Sequence, residues 1–336
     1  MSLEDKIENL KGQLYGELNE STERLKDVLD AEEEDSFPYK NMVSASMFER
    51  FSECPKQWEL RYKDKNYEPE DNENTIYGDS IHRLVENYME AEDENEYDSP
   101  EKIEDKVKNA VKTSAEDVKD RFDADASNNR EYPFTPQLLD QMVKDARKSF
   151  GQYIKFADQF FTDSLELVSV EEEFKGKTFH NLEFRGKVDL VFYDNEKDLF
   201  YIIDIKSSNS SWKTQDINFL AKKVQLLSYK FYFCKELEIP FEKVKTAFVV
   251  LNREGDAKGN FGHIESISID SSVKRLKWTI KQWQKFLTKT TYEKGYFRDR
   301  NYEKNPTEKN CSRCPYSTQF NGNGMCDQKG RRFGKS

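Results

Sequence analysis

The sequence of 336 residues is poor in long apolar segments, in histidine and in cysteine. Its longest apolar runs include AFVVL at 247–251, far short of the about 18 residues that span a membrane. Its first residues, MSLEDKIENL, lack the basic-then-apolar order of a signal peptide. We therefore exclude a membrane-spanning class and expect a soluble, intracellular, cytoplasmic protein without a membrane partner. In such a protein, five cysteines indicate metal ligands or core residues rather than a disulfide framework.

Charge, in contrast, is abundant. Charged residues make up 35% of the chain and the mean hydropathy is -0.94, but aromatics reach 13%, which indicates a folded core with polar insertions. The net charge of -11 by itself disfavours a nucleic-acid partner. However, residues 271–336 carry 16 Lys and Arg against 5 Asp and Glu, a local charge of +11 that leaves -22 for residues 1–270. A polyanion could thus contact the basic region alone; a solvated basic helix and tail is an equally open alternative.

Hydrophobic periodicity predicts an α/β fold with a mixed central β-sheet flanked by helices. Strands are predicted at 165–174, 182–194, 199–207, 244–252 and 263–269, and helices at 3–30, 78–90, 101–121, 136–163, 215–238 and 271–290. We expect an N-terminal acidic amphipathic helix and linker at 1–40, a main domain at 41–300 with a helical insertion at about 90–165, and a Cys-rich tail at 301–336. The N-terminal helix is either an ordinary amphipathic helix or a short coiled-coil arm, and it is a candidate site for a protein partner.

Two acidic residues are predicted to face each other across a hairpin. The polar turn DNEKD at 194–198 connects two strands, and a symmetric turn places Asp189 opposite Asp204, with Lys206 on the same face. Two carboxylates across a ladder repel each other, so we expect a divalent cation to supply the opposing charge. The alternative is a pair of surface acids neutralised by Lys187 and Lys206.

Two helices carry further polar residues of interest. The segment IYGDSIHRLVENYM at 76–89 places His82 in the first turns of a helix, and KKVQLLSYKFYF at 222–233 places Gln225 and Tyr229 on one helix face. Considered alone, His82 is best explained as a packed core residue, and the glutamine and tyrosine are an unremarkable pair.

Taken together, these residues resemble the motifs of the PD-(D/E)XK nuclease superfamily and, within it, of the RecB/AddB-like branch that includes CRISPR-associated exonucleases. The matching motifs in chain order are G-x-x-x-H from Gly78 to His82, G-x-x-D from Gly186 to Asp189, D-x-K from Asp204 to Lys206, and Q-x-x-x-Y from Gln225 to Tyr229. The segment SMFERFSECPKQWELRY at 46–62 is similar to the N-terminal motif of that branch. The resemblance implies a restriction-endonuclease-like core.

The resemblance also implies divalent-metal hydrolysis of phosphodiester bonds. The residues that it implicates are His82, Asp189, Asp204 and the Ile205 carbonyl as metal ligands, Lys206 as the group that orients or deprotonates water, and Gln225 and Tyr229 as residues that position nucleic acid. Oxygen ligands suit Mg²⁺, and the imidazole makes Mn²⁺ at least as suitable. Glu173 is a candidate further carboxylate, but the sequence does not distinguish it from Glu171 and Glu172.

The tail carries three cysteines, Cys311, Cys314 and Cys326, which leave a tetrahedral metal site one ligand short. The resemblance supplies Cys54 as the fourth, because AddB-like nucleases bind a 4Fe–4S cluster through one distant and three C-terminal cysteines. There the cluster clamps the two ends of the nuclease domain, so here the tail would pack back on the domain. The last spacing, eleven intervening residues, is about twice that of the family. Zinc on the same thiolates, or no metal, therefore stays open.

We therefore expect a metal-dependent deoxyribonuclease, acting as an exonuclease on single-stranded DNA ends in recombination, repair or replication. The preference for ends and the pathway come from the resemblance only. The alternative is a non-catalytic nucleic-acid-binding or scaffold subunit that retains the nuclease fold. The intact set of Asp189, Asp204 and Lys206 favours the enzyme.

Overall fold

The computed structural model describes residues 42–65, 73–91, 97, 99–124, 134–161, 164–178, 182–208, 220–253, 264–269, 272–292, 295–311, 314–317 and 326. The predicted helix at 3–30 and its linker lie outside these residues. The predicted domain boundaries at 40 and 300 stay predictions. Within the described ranges, no helix is both long enough and apolar enough to cross a bilayer.

One mixed β-sheet contains the six strands found in the described part of the chain. Their bounds are β1 Met42–Val43, β2 Leu165–Lys177, β3 Glu183–Asp194, β4 Leu199–Ser208, β5 Val244–Asn252 and β6 Ile264–Ile269. The order is β1-β3-β4-β5-β6, and β2 also pairs with β3. The β1–β3 and β4–β5 pairs are parallel and the others antiparallel. The predicted mixed sheet is confirmed, and β4 and β5 are joined through a crossover helix as parallel strands require.

Helices pack on both faces of this sheet. Their bounds are α1 Ala45–Glu53, α2 Pro55–Trp58 with a π-helical turn Glu59–Lys63, α3 Glu73–Met89, α4 Pro100–Ala124, α5 Pro136–Phe160, α6 Leu220–Glu236, a 3₁₀ turn Phe241–Lys243, α7 Val273–Thr290 and α8 Glu308–Cys311. The sequence patterns predict α3 to α7. They do not predict α1, which begins where the Ser44 hydroxyl accepts a hydrogen bond from the Met47 amide at 3.3 Å.

Strand β4 divides the core into two clusters because successive side chains of a strand point to opposite faces. Ile202 packs in the cluster that contains residues of α1, α6 and α7. Ile203 and Ile205 pack in the cluster that contains residues of α3, α4 and α5, and Tyr201 lies against it. The face of β4 that carries Tyr201, Ile203 and Ile205 is therefore the one that α3, α4 and α5 cover.

Along one edge of β3, strand pairing is interrupted in the middle of the strand. Along the opposite edge β3 pairs with β2 from Glu183 to Asp194. Along the interrupted edge it pairs with β4 only from Leu190 to Asp194, while β1 pairs with Glu183 and Phe184. Asp189 therefore lies between these two partners, where β3 and β4 part.

Candidate functional site

The register of the hairpin brings the two predicted carboxylates to the fork between β3 and β4. The recorded pairs run from Asp194–Leu199 to Leu190–Ile203, which confirms the predicted register over this stretch. Asp189 and Asp204 are the next residues on each strand. At this point a side chain takes the place of a backbone carbonyl in the pairing of β3 with β4: Asp189 Oδ2 accepts a hydrogen bond from the Ile205 amide at 2.5 Å.

Asp204 is the most deeply buried acid of the site. The residue is 1% exposed, and its Oδ2 lies 2.5 Å from the Lys206 ammonium, although the angles do not meet those of a hydrogen bond. Burial raises the pKa of Asp204 to about 6, although the positive charge of Lys206 acts in the opposite direction. Burial alone would lower the pKa of Lys206, but the negative charges of Asp204 and Asp189 outweigh it and raise that pKa. The lysine therefore stays an ammonium, and its side chain is 27% exposed.

His82 joins the site from α3. Its Nδ1 lies 3.5 Å from Asp189 Oδ1, and both side chains are partly accessible. Burial would lower the pKa of His82, but the charge and hydrogen bond of Asp189 raise it above the usual value. Burial would raise the pKa of Asp189, yet the charges of His82 and Lys206 lower it, as does the Ile205 amide. Asp189 is thus kept ionised by His82 of α3 and by the Ile205 amide and the Lys206 charge of β4.

Two glycines allow the elements of the site to approach closely. A Cβ on Gly78 of α3 would lie 3.1 Å from the Ser207 hydroxyl, directly after Lys206 on β4. A Cβ on Gly186 of β3 would lie 2.5 Å from Cε1 of Tyr229, which no real contact tolerates. Gly186 therefore brings two of the sequence motifs into contact, and Gly78 brings α3 against the residue that follows Lys206.

Gln225 and Tyr229 lie on α6 on the other side of the fork. Gln225 Nε2 donates to the Tyr229 hydroxyl at 3.0 Å, as the i, i+4 spacing permits. Tyr229 is 5% exposed, and burial together with the charge of Asp204 raises its pKa, so the phenol is neutral. Its ring supports β3 beside Asp189, and Gln225 is the more accessible of the two.

A carboxyl pair, Glu86 and Glu171, lies near the site; the sequence analysis named Glu171 among three alternatives but did not identify Glu86. Glu171 of β2, whose neighbours pair with Leu190 and Val188, is level with Asp189 and has a left-handed φ of 54°. Burial and the contact with Glu171 raise the pKa of Glu86 to about 7. Glu86 is four residues after His82 and so lies on the same face of α3. The spacing of four residues between His82 and Glu86 is the sequence pattern from which Glu86 could have been predicted.

The position of Lys187 decides against one alternative for the two aspartates. Lys187 is 52% exposed and forms an ion pair with Glu171. The side chains of Asp189 and Asp204 are only 13% and 2% exposed. They are therefore not surface acids neutralised by the two lysines, and Glu173, which pairs with Lys175, lies away from them at an exposed position.

The cysteines of the tail approach the start of the domain. Cys311, Cys314 and Cys326 are buried, and Cys54 is partly so; all are free thiols. Burial raises the pKa of Cys314 to about 12, and the proximity of Cys326, Cys54 and Cys311 adds to the effect. Backbone contacts join the same regions: Asn305 and Asn310 donate side-chain hydrogen bonds to the Glu53 carbonyl at 2.8 and 2.9 Å.

The aspartate–histidine site and the cysteines both carry side chains that bind metals in proteins. Among the residues that the structure describes, no three His, Cys, Asp or Glu groups are gathered closely enough to hold an ion as they stand. The chemistry of the donors nevertheless fits. Asp204 is buried with an Oδ2 that has only an ammonium beside it, and oxygen donors with an imidazole suit Mg²⁺ or Mn²⁺. Thiol donors such as Cys54, Cys311, Cys314 and Cys326 are of the type that binds zinc or an iron–sulfur cluster.

The comparisons with known proteins agree with the motif analysis at the level of the family. The model of the PD-(D/E)XK nuclease superfamily matches residues 42–319. No curated protein matches. A solved structure described as "Putative exonuclease" from Eubacterium rectale aligns with a TM-score of 0.49 and 11% identity, over 91% of this chain and 97% of that chain. The structure of SSO0001 aligns with a TM-score of 0.33 and 11% identity, over 85% of this chain and 84% of that chain. Both TM-scores are below 0.5, so neither similarity is evidence for the fold or the function of this chain.

Proposed function

The chain belongs to the PD-(D/E)XK nuclease superfamily, and on that premise we propose that it is a divalent-metal-dependent DNA nuclease. One observation carries the proposal: Asp189 and Asp204 converge where β3 and β4 part, with Lys206 and His82 beside them. We further propose an exonuclease on single-stranded ends that serves recombination, repair or replication, for which the resemblance of the motifs to the RecB/AddB-like branch is the support.

The metal ligands proposed are His82, Asp189, Asp204 and the Ile205 carbonyl. A bound divalent ion supplies the positive charge that activates a water and stabilises the attacked phosphate. Asp204 is fixed by burial, so it would contribute a rigid oxygen donor. Asp189 is held by the Ile205 amide through Oδ2, which leaves Oδ1 on the side of His82.

Lys206 and α6 complete the proposed machinery. Because the charges of Asp204 and Asp189 keep Lys206 an ammonium, its proposed role is to orient a water or a phosphate oxygen and to donate a proton, not to deprotonate the water. Tyr229 supports β3 through its ring contact with Gly186, and the accessible Gln225 positions nucleic acid. We also propose the domain division at 40 and 300, with the Cys-rich tail at 301–336 packing back on the nuclease domain to bind the cluster.

The test is a cleavage assay on end-labelled single- and double-stranded DNA with Mg²⁺ or Mn²⁺. We expect Asp204→Asn and Lys206→Gln to abolish cleavage while circular dichroism and thermal unfolding stay unchanged. Asp140→Asn, at an exposed position of α5, is the matched control and should retain full activity. Undiminished cleavage by Asp204→Asn would sink the assignment. DNA binding by the wild type without any cleavage would instead support the non-catalytic scaffold.

For the cysteines we propose a 4Fe–4S cluster on Cys54, Cys311, Cys314 and Cys326, with zinc as the competing occupant. Anaerobic purification should give a brown protein that absorbs at about 400 nm. Cys54→Ser should lose the iron, whereas Cys234→Ser, at a buried position in α6, should retain it. A colourless protein with stoichiometric zinc would select zinc, and a protein without metal would reject both.

A further inference from the structure

Helix α7 carries a row of lysines on one side. Its 18 residues contain six Lys and Arg and no Asp or Glu. At 3.6 residues per turn, five of these side chains fall within an arc of about 120°. They are Lys274, Lys277, Lys281, Lys285 and Lys289, which we call the lysine stripe. Their spacing of three and four residues keeps all five on one side of the helix.

Packing fixes the direction in which the stripe points. All five lysines are exposed, whereas Leu276, Trp283 and Leu287 on the opposite side are buried. Trp283 Nε1 donates to the Ser228 hydroxyl of α6 at 2.7 Å. Ser228 is adjacent to Tyr229, so α7 is anchored to the helix that supports the fork. The stripe therefore faces outward at a fixed position relative to the candidate site.

The stripe has no acidic partner within the part of the chain that the structure describes, since no ion pair is recorded for its five lysines. Helix α4 differs. It has lysines at similar density, but they pair with acids at i, i+4, as in Lys108–Glu104 and Lys112–Glu116. Like charges at this spacing destabilise a helix. The lysines of α7 therefore repel one another, and a bound anion would reduce this repulsion.

The dimensions of the stripe fit a nucleic-acid backbone. From Lys274 to Lys289 the helix rises about 22 Å, and lysines four residues apart are separated by about 6 Å. A DNA strand presents one phosphate per about 3.4 Å of duplex axis, so about six phosphates span the stripe. The remainder of the chain, at -22 for residues 1–270, repels a polyanion, which restricts the approach to this side.

We propose that the lysine stripe is a track for the phosphate backbone of the substrate outside the active site. This inference rests on the proposed nuclease function and adds to it a second contact surface that the catalytic motifs do not include. Contacts of this type hold and orient the nucleic acid without reading its sequence. They also strengthen binding in proportion to the length of substrate that reaches the stripe.

The experiment measures binding of labelled single-stranded and duplex oligonucleotides in EDTA by fluorescence anisotropy at several salt concentrations. The test variant replaces Lys277, Lys281 and Lys285 by Gln. The control replaces Lys108, Lys112 and Lys155 by Gln, which changes the net charge equally at exposed positions of α4 and α5. We expect the test variant to bind at least about tenfold more weakly and its salt slope to fall by about 2, since each lost phosphate contact removes about 0.7–0.9.

Equal affinities of the test and control variants, or no binding by the wild type, would overturn the inference. Equal losses would also overturn it, because they indicate a general charge effect. Glutamine is a good helix former, and the single variant Lys281→Gln provides a milder test if the triple variant unfolds. If the wild type cleaves DNA but its binding does not depend on the stripe, this inference alone is refuted. If binding depends on the stripe but the wild type does not cleave DNA, the proposed nuclease function alone is refuted.

Discussion

The two ends of the β3–β4 hairpin each bury an aspartate beside a lysine, but they satisfy the carboxylate differently. At the closed end, Asp194 accepts hydrogen bonds from the amides of Glu196 and Lys197 at 3.1 and 3.0 Å, and the Lys197 ammonium lies 2.6 Å away. At the open end, Asp204 has the Lys206 ammonium at 2.5 Å, and its buried Oδ2 has no partner with hydrogen-bond geometry.

The pKa values reflect this difference. Burial would raise the pKa of Asp194, but Lys197 and the turn amides lower it below the usual value. Burial raises the pKa of Asp204 to about 6 in spite of Lys206. A buried carboxylate that stabilises the fold is surrounded by donors, whereas one that is short of donors has capacity for an external cation. The comparison can be tested by changing each end separately.

The largest expected effect is the loss of cleavage in Asp204→Ala. Because this residue is the rigid donor of the proposed metal site, we expect the rate to fall on the order of 10³-fold. Asp194→Ala, at the other end of the same strands, should cleave like the wild type once both proteins are folded. The measurement is initial-rate cleavage of labelled DNA with Mn²⁺. Equal losses in both variants would show that the two ends are not functionally distinct.

At the open end of the hairpin, stability should depend on the close packing of Gly186 against Tyr229. In Gly186→Ala the added Cβ would lie 2.5 Å from the Tyr229 ring, so the ring or β3 must move. We expect the free energy of unfolding to fall by about 1–3 kcal/mol and cleavage to weaken. Gly151→Ala in α5 is the control because its Cβ meets nothing within 4 Å. It should gain about 0.5–1 kcal/mol. Urea denaturation distinguishes the two, and equal stabilities would contradict the close contact.

The closed end should contribute stability without contributing activity. Asp194→Ala removes the acceptor of two turn amides, so we expect the free energy of unfolding to fall by about 1–2 kcal/mol. Glu196→Ala, at an exposed position of the same turn, should leave it unchanged. Asp204→Ala should be less destabilising than Asp194→Ala in the same urea titration. The reverse order would refute the distinction between the two ends.

The smallest expected effect is a change of the unfolding free energy with pH that arises from the titration of Asp194. Its pKa is lowered on folding, so its contribution is complete above the unfolded value of about 3.9 and is lost as the pH falls through the folded value. The unfolding free energy of the wild type should therefore fall more steeply below about pH 4 than that of Asp194→Asn, which cannot titrate. Lys197 is 62% exposed, so solvent reduces the effect. Parallel pH profiles would contradict it.

The sequence predicted the hairpin well because its signals are local. The alternation of apolar residues located β3 and β4, and the polar turn between them predicted the pairing of Leu190 with Ile203 that the structure contains. Strand β1, Met42–Val43, was not predicted because two residues show no periodicity. Yet β1 takes part of the β3 edge and so defines the lower limit of the fork.

The neighbours of the candidate site depend on contacts between distant segments, which local patterns do not contain. Glu171 could not be chosen over Glu172 and Glu173, because a register shift between Leu167 and Ser169 changes which residue is level with Asp189. The contacts of Gly78 with Ser207 and of Gly186 with Tyr229 likewise required the fold. The roles assigned to the motif residues come from the family resemblance and stay predictions.

The hydrogen bonds from the tail to the Glu53 carbonyl also bear on how the chain folds during its synthesis. They join residues 252 and 257 positions apart, and the Lys56 amide donates to the Glu303 carbonyl nearby. Helix α1 is translated first, and the asparagines that complete its C-terminal end follow 252 and 257 positions later. Strands β3 and β4 can therefore pair on the nascent chain before the C-terminal end of α1 is completed, and chains that stop short of residue 303 leave the ribosome with that end of the helix open.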